Sequence, residues 1–203
     1  AQFKPYTAFL NEQGQRQAVF FRDYLFLGLK SPNGRSYHRE TDPAKSALKT
    51  DWDWFLNRIF TSEMKQLNAL NEQTKATANE LGQPGLRNNV VIMVPFGNAN
   101  VTNFGDVDGD GVGENLATLS GRKKVTRWYI DQVISRFKQA GYSHLILKGF
   151  YWLQEDLDTS NADEVNLVQD TASYIHSKGD YIFCWIPWSK AYAATRWEEF
   201  GFD

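Results

Sequence analysis

The chain has 203 residues, of which 42% are hydrophobic and 15% aromatic, enough apolar side chain to fill the core of one domain. Its formal charge of -2 is spread over interleaved residues of both signs with no basic run, so the attraction that holds nucleic acid is weak and nucleic acid is not an expected partner. No apolar stretch nears the roughly 20 residues that span a bilayer, and a single cysteine, Cys184, allows neither an internal disulfide nor a cysteine metal cluster.

The chain opens on Ala1-Gln2, without the basic and apolar regions of a signal peptide. That start suits a mature secreted, periplasmic or cell-surface protein after signal removal, and equally a chain trimmed for expression. The first predicted strand lies within 19–29, an aromatic and β-branched run closed by the turn residues Ser31-Pro32-Asn33-Gly34. Thr50, followed by Asp53, predicts a helix start, and Trp52, Phe55, Leu56, Ile59 and Phe60 recur at helical spacing. Trp54, two residues from Trp52, falls off that stripe. A second helix is predicted over 63–81, stopped by Gly82 and Pro84.

Residues 89–96 are nearly continuous in β-formers, as a strand covered on both faces would be. A polar loop over 97–120 leads to a helix with Val125, Trp128, Tyr129, Val133 and Phe137 inward, closed by Gly141. The run 145–153 predicts the third strand; Asn161 with Glu164 predicts a capped helix ending at Gly179; and 181–186 predicts the fourth strand, which buries Cys184 as an inert thiol. Alternating strand and helix argue for a parallel α/β sheet, either doubly wound or a (β/α) barrel. No Gly-x-Gly-x-x-Gly follows a strand, which weakens the dinucleotide-binding alternative. Four strands and the start of a fifth unit at 196–203 fall short of the eight in a full barrel, so the expectation is a single (β/α) TIM-barrel-like domain over 1–203, cut in mid-fold.

Leu145 to Leu147 flow without a turn into Tyr151, Trp152 and Glu155. Parallel sheets gather ligands at the C-terminal ends of their strands, and rings beside a carboxylate suit a sugar. Glu155 is therefore the candidate proton-transfer residue, against the plainer readings of a solvated carboxylate or an ion-pair partner for Lys190. Tyr151, Trp152, Trp188, Lys190 and Tyr192 are the candidate ligand-binding residues, whereas Trp185 divides between core and rim. Asp106-Val107-Asp108-Gly109-Asp110-Gly111-Val112-Gly113-Glu114 matches the first nine positions of a calcium loop, which makes Asp106, Asp108, Asp110, the Val112 carbonyl and Glu114 candidate Ca2+ ligands. Ala117 stands where such a loop has its bidentate glutamate, so an unmetallated Asp/Gly turn is the alternative. His38, His144 and His176 are scattered without metal spacing and read as surface or structural residues.

Taken in order, Tyr24-Leu25-Phe26-Leu27, Thr50-Asp51-Trp52-Asp53-Trp54, Val91-Ile92-Met93-Val94-Pro95, Arg127-Trp128-Tyr129-Ile130-Asp131, Gly149-Phe150-Tyr151-Trp152 with Glu155, Trp185-Ile186-Pro187-Trp188 and Gly201-Phe202-Asp203 resemble a family of secreted bacterial proteins labelled as a domain of unknown function (4855). The resemblance spans nearly the whole chain and implies a glycosidase-like (β/α) barrel whose remaining strands would follow Asp203. The expected function is a carbohydrate-active barrel domain of glycoside-hydrolase type acting on a glycan or polysaccharide. The rival is a non-catalytic glycan-binding or structural module with a calcium-stabilised loop. Glycosidases pair two carboxylates, about 5 Å apart for retention and ~6.5 to 9.5 Å for inversion, and only Glu155 stands out here.

Overall fold

The computed structural model describes residues 2–61 and 66–203. The chain begins with a short helix α1 (Lys4–Thr7) and an antiparallel hairpin of β1 (Ala8–Leu10) and β2 (Arg16–Val19). The aromatic run 19–29 is therefore not one strand. Val19 ends the hairpin, and β3 (Asp23–Phe26) enters a different sheet.

The main sheet contains β3, β4 (Asn88–Val94), β5 (Leu145–Trp152) and β6 (Ile182–Trp185), side by side in chain order and all parallel. Between them run α2 (Lys49–Phe60) and α3 (Gln66–Glu80), then α4 (Leu119–Ala140), then α5 (Ala162–Ser177). Residues 63–65 of the second predicted helix lie outside the described residues. Among the described residues the sheet is open, with β3 and β6 at its edges, and no barrel closes. The result is a mixed α/β fold with a four-stranded parallel sheet among helices.

Strand order equal to chain order returns each crossover to the same side of the sheet. The helices accordingly form one layer: Trp52 of α2 meets Tyr129 of α4 edge-on at 5.4 Å, and Arg127 of α4 holds Asp170 of α5 at 2.6 Å. Phe26, Val90, Ile92, Val94, Phe150, Trp152 and Phe183 fill the space between sheet and helices, all buried. The opposite face carries Leu25 and Ile146, both exposed, and half-buried Val91, Ile182 and Cys184.

The alternation breaks once. Register slips after Val90, so Val90 pairs with Leu147 and Val91 with Gly149, and Lys148 is left over as a bulge. Only glycine fits there, because a Cβ on Gly149 would lie 2.1 Å from the Ile182 carbonyl oxygen. Local caps explain the helix ends. Asp51, not Thr50, starts α2 by accepting the Leu48 N–H at 2.9 Å. Thr118 accepts the Gly121 N–H at the start of α4, and Gly141 closes it in the left-handed conformation at φ 60°. Asn161 caps α5 through the Asp163 and Glu164 N–H groups.

Candidate functional site

The loops that leave the C-terminal ends of the four parallel strands meet one another. After β3, His38 and Arg39 are pinned on two sides: the His38 carbonyl accepts from Asn98 Nδ2 at 3.0 Å, and the Arg39 N–H donates to Gln154 Oε1 at 2.9 Å. After β5, the Gln154 carbonyl accepts the Trp185 indole N–H at 2.8 Å, and the Glu155 carbonyl accepts the Trp188 N–H at 2.9 Å. Loops following β3, β4, β5 and β6 thus form one rim, held by side-chain amides and backbone groups.

Glu155 and Trp188 share this rim, as their positions after neighbouring strands require. Trp188 is exposed, with the Lys190 ammonium 5.8 Å from its ring centroid, and Tyr192 is more exposed still. Trp185 is half-buried and stacks on Phe202 with centroids 5.2 Å apart. Glu155 is itself exposed and is not buried against Tyr151 or Trp152. The physical reason is the loop, which hydrogen-bonds through the Glu155 carbonyl and leaves the carboxylate to solvent. Among the described residues no ion pair joins Glu155 to Lys190.

Tyr151 and Trp152 part company, since adjacent strand residues face opposite ways. Trp152 lies in the helix-side core between Phe96 and Phe183, each at 6.0 Å, so its part is packing and not ligand stacking. Tyr151 points to the other face, level with Met93 and Cys184 on the neighbouring strands. Burial, then the nearby charge of Glu155 and the Cys184 thiol, push the Tyr151 phenol up to about 12, so it is a proton donor and not a nucleophile at neutral pH. Burial also pushes the Cys184 thiol up, in keeping with an inert sulfur.

His38 belongs to this group as well. Burial holds its imidazole below the ordinary histidine value, and the Glu155 charge pulls the other way. Spacing in the sequence gave no sign that the two loops meet, because they are joined through the Arg39 N–H and the Gln154 side chain.

Behind the rim, a cavity of about 190 Å³ is lined by Arg39, Phe96, Asn98, Arg122, Asp158 and Glu164 among others. Glu164 pairs with Arg39 and accepts the Asp158 N–H at 3.0 Å. Burial outweighs these contacts and raises its pKa. Arg122 is buried and reaches Asp163 at 2.9 Å.

The acidic loop forms the tip of a hairpin-like excursion between β4 and α4, closed by Phe104 N–H to the Glu114 carbonyl at 2.9 Å and Glu114 N–H to the Gly105 carbonyl at 3.2 Å. Phe104 anchors it on Trp52 at 4.8 Å. Side-chain oxygens of Asp106, Asp108 and Glu114 lie within 4.8 Å of one another, a cluster able to hold a metal ion. Asp110 instead accepts the Val112 N–H at 2.8 Å and stands outside the cluster, with Val112 exposed. The Lys124 ammonium lies 2.6 Å from Asp108 and 2.7 Å from Glu114, where it supplies the positive charge. Backbone N–H groups of Gly111, Gly109 and Asp108 hold Asp106 below the usual carboxylate range.

An open parallel α/β sheet with rings, a carboxylate and an imidazole gathered on its C-terminal rim defines the class of this molecule. The chain belongs to the family described as Domain of unknown function (DUF4855), which matches residues 1–203. No curated protein and no solved structure matches it.

Proposed function

We propose that this domain acts on a glycan at the C-terminal rim, as a glycoside-hydrolase-type module of an exported protein in which the four strands form part of a (β/α) barrel. The observation that supports the reading is the backbone hydrogen bond of 2.9 Å between Glu155 and Trp188, which puts an exposed carboxylate residue and an exposed ring residue on the same rim, where parallel sheets bind ligands. Trp188 and Tyr192 stack sugar faces, Lys190 contacts hydroxyls, and Glu155 handles the proton. Ca2+ at Asp106, Asp108 and Glu114 stiffens the β4–α4 loop, with Lys124 displaced when the ion enters. Calcium loops of extracellular modules bind in the millimolar range, which fits an incomplete ligand set outside the cell.

The test is turnover and binding across a panel of polysaccharides. Glu155→Gln abolishes hydrolysis while binding persists, because the amide keeps the shape and loses the transferable proton. Trp188→Ala weakens binding. The second reading, a non-catalytic glycan-binding module, is favoured by the exposure of Glu155; it requires Trp188→Ala to cost affinity and Glu155→Gln to change nothing.

A further inference from the structure

We propose that the cavity behind the rim, lined by Arg39, Phe96, Arg122, Asp158, Asn161 and Glu164, is a pocket for a single neutral sugar unit held through neighbouring hydroxyls. The inference rests on the glycan reading and adds to it a subsite that contains none of the rim rings. At about 190 Å³ the cavity is smaller than the ~300 to 1,000 Å³ of pockets for drug-sized ligands, so it has room for one ring and not for a chain of them. Its walls include charged groups taken out of solvent: the Glu164 and Arg122 side chains are only 5% and 4% exposed. Arg39 lies over the Phe96 ring at 5.3 Å from its centroid. The backbone around Arg39 is held from two loops, by Gln154 through the Arg39 N–H at 2.9 Å and by Asn98 through the His38 carbonyl at 3.0 Å and the Glu40 N–H at 2.7 Å. Groups fixed in this way lose little freedom when a ligand arrives, which lowers the cost of binding.

The charges select hydroxyls. Arg39 and Arg122 share the cavity with Asp158 and Glu164, and both cations already hold anions: Arg39 pairs with Glu164, and Arg122 reaches Asp163 at 2.9 Å. An entering anion meets the two carboxylates and an entering cation meets the two guanidinium groups, so neither gains net attraction. Hydrogen-bonding capacity remains on both sides. Glu164 accepts from Arg39 and from the Asp158 N–H on Oε1, and Asp158 accepts the Ser160 N–H and hydroxyl on Oδ1. Their other oxygens, Oε2 and Oδ2, have no hydrogen-bond partner among the described residues. On the donor side, Asn161 spends its Oδ1 on capping α5, and its Nδ2 has no acceptor among the described residues. Arg39 spends one guanidinium N–H on Glu164, and Arg122 has a buried Nε–H with no acceptor, a costly state for a polar group. Free donors and free acceptors in one cavity suit a group that both gives and takes a hydrogen bond, and neighbouring sugar hydroxyls do so without parting an ion pair.

Titration of the protein with neutral hexoses and pentoses, followed by NMR, tests this. At least one sugar is expected to bind saturably and to shift the side-chain N–H signals of Arg39, Arg122 and Asn161. Asp158→Asn, which replaces the free acceptor by a donor, and Arg39→Lys, which keeps the charge and loses the planar fork, should each weaken that sugar by about 10-fold or more. The wild-type shifts decide the matter even where a variant does not fold. Saturable binding that leaves those signals unmoved overturns the pocket, and so does an affinity indifferent to Asp158→Asn. Tighter binding of a hexuronate or of glycine overturns it as well, because such a site selects charge. Polysaccharide binding that Trp188→Ala weakens, with no monosaccharide bound, overturns the pocket and leaves the glycan reading standing. No binding of any monosaccharide or polysaccharide overturns both.

Discussion

At residue scale, one glycine decides which side chains face the helices. The Lys148 bulge shifts the alternation of β5, so Leu145 and Leu147 and then Phe150 and Trp152 point to the helices, while Tyr151 points away. The sequence shows Tyr151 and Trp152 as equivalent rings, and nothing in a periodic pattern marks a bulge; in the structure both are buried, on opposite faces of the sheet. Gly149→Ala forces a methyl to within 2.1 Å of the Ile182 oxygen and must part β5 from β6. A loss of about 2 kcal/mol or more in urea unfolding is expected, in the range of overpacking. Glu164 gives a pH effect of definite sign. Its folded pKa is raised, so the folded chain binds the proton more tightly than the unfolded one, and the associated stability is complete below the unfolded value and lost as pH rises through the folded value. Melting temperatures measured from about pH 4 to 7 should show this decline, and Glu164→Gln should flatten it.

Elements were more legible than contacts. The apolar stripes of α2 and α4, the Gly141 stop and the Asn161 cap follow from local chemistry and match the helices found. The opening hairpin was not legible, because its strands are three and four residues long and alternate little between apolar and polar. Glu164 also departs from the capping-box pattern, since it reaches Asp158 and leaves Asn161 to cap α5 alone. Asn161→Ala is expected to cost about 1 kcal/mol, seen as a melting point lower by roughly 2–4 °C. The two faces of the sheet give a paired prediction. Ile92→Ala, on the buried helix side, should cost about 2–5 kcal/mol. Ile146→Ala on the exposed face should stay within about 1 kcal/mol of wild type.

For the whole molecule, the parallel sheet in chain order was readable from alternating strand and helix, whereas the meeting of the His38–Arg39 loop with Asn98 and Gln154 was not, because long-range loop contacts leave no local pattern. If the Asp106, Asp108 and Glu114 cluster takes calcium, adding it is expected to raise the melting temperature by mass action, and Asp108→Ala should abolish the rise. Lys124→Met should enlarge it, since the ammonium between Asp108 and Glu114 competes with the ion. The order of the strands also sets an order in time. Gly149 meets Ile182 across half the length of chain that separates Asp23 from Asn89, and each doubling of a loop costs about 0.6 kcal/mol of closure entropy. Among the parallel pairs the β5–α5–β6 unit therefore has the shortest search and is expected to form the nucleus, with β3 joining last: substitutions in β5 and α5 should slow refolding, and those in β3 should instead speed unfolding.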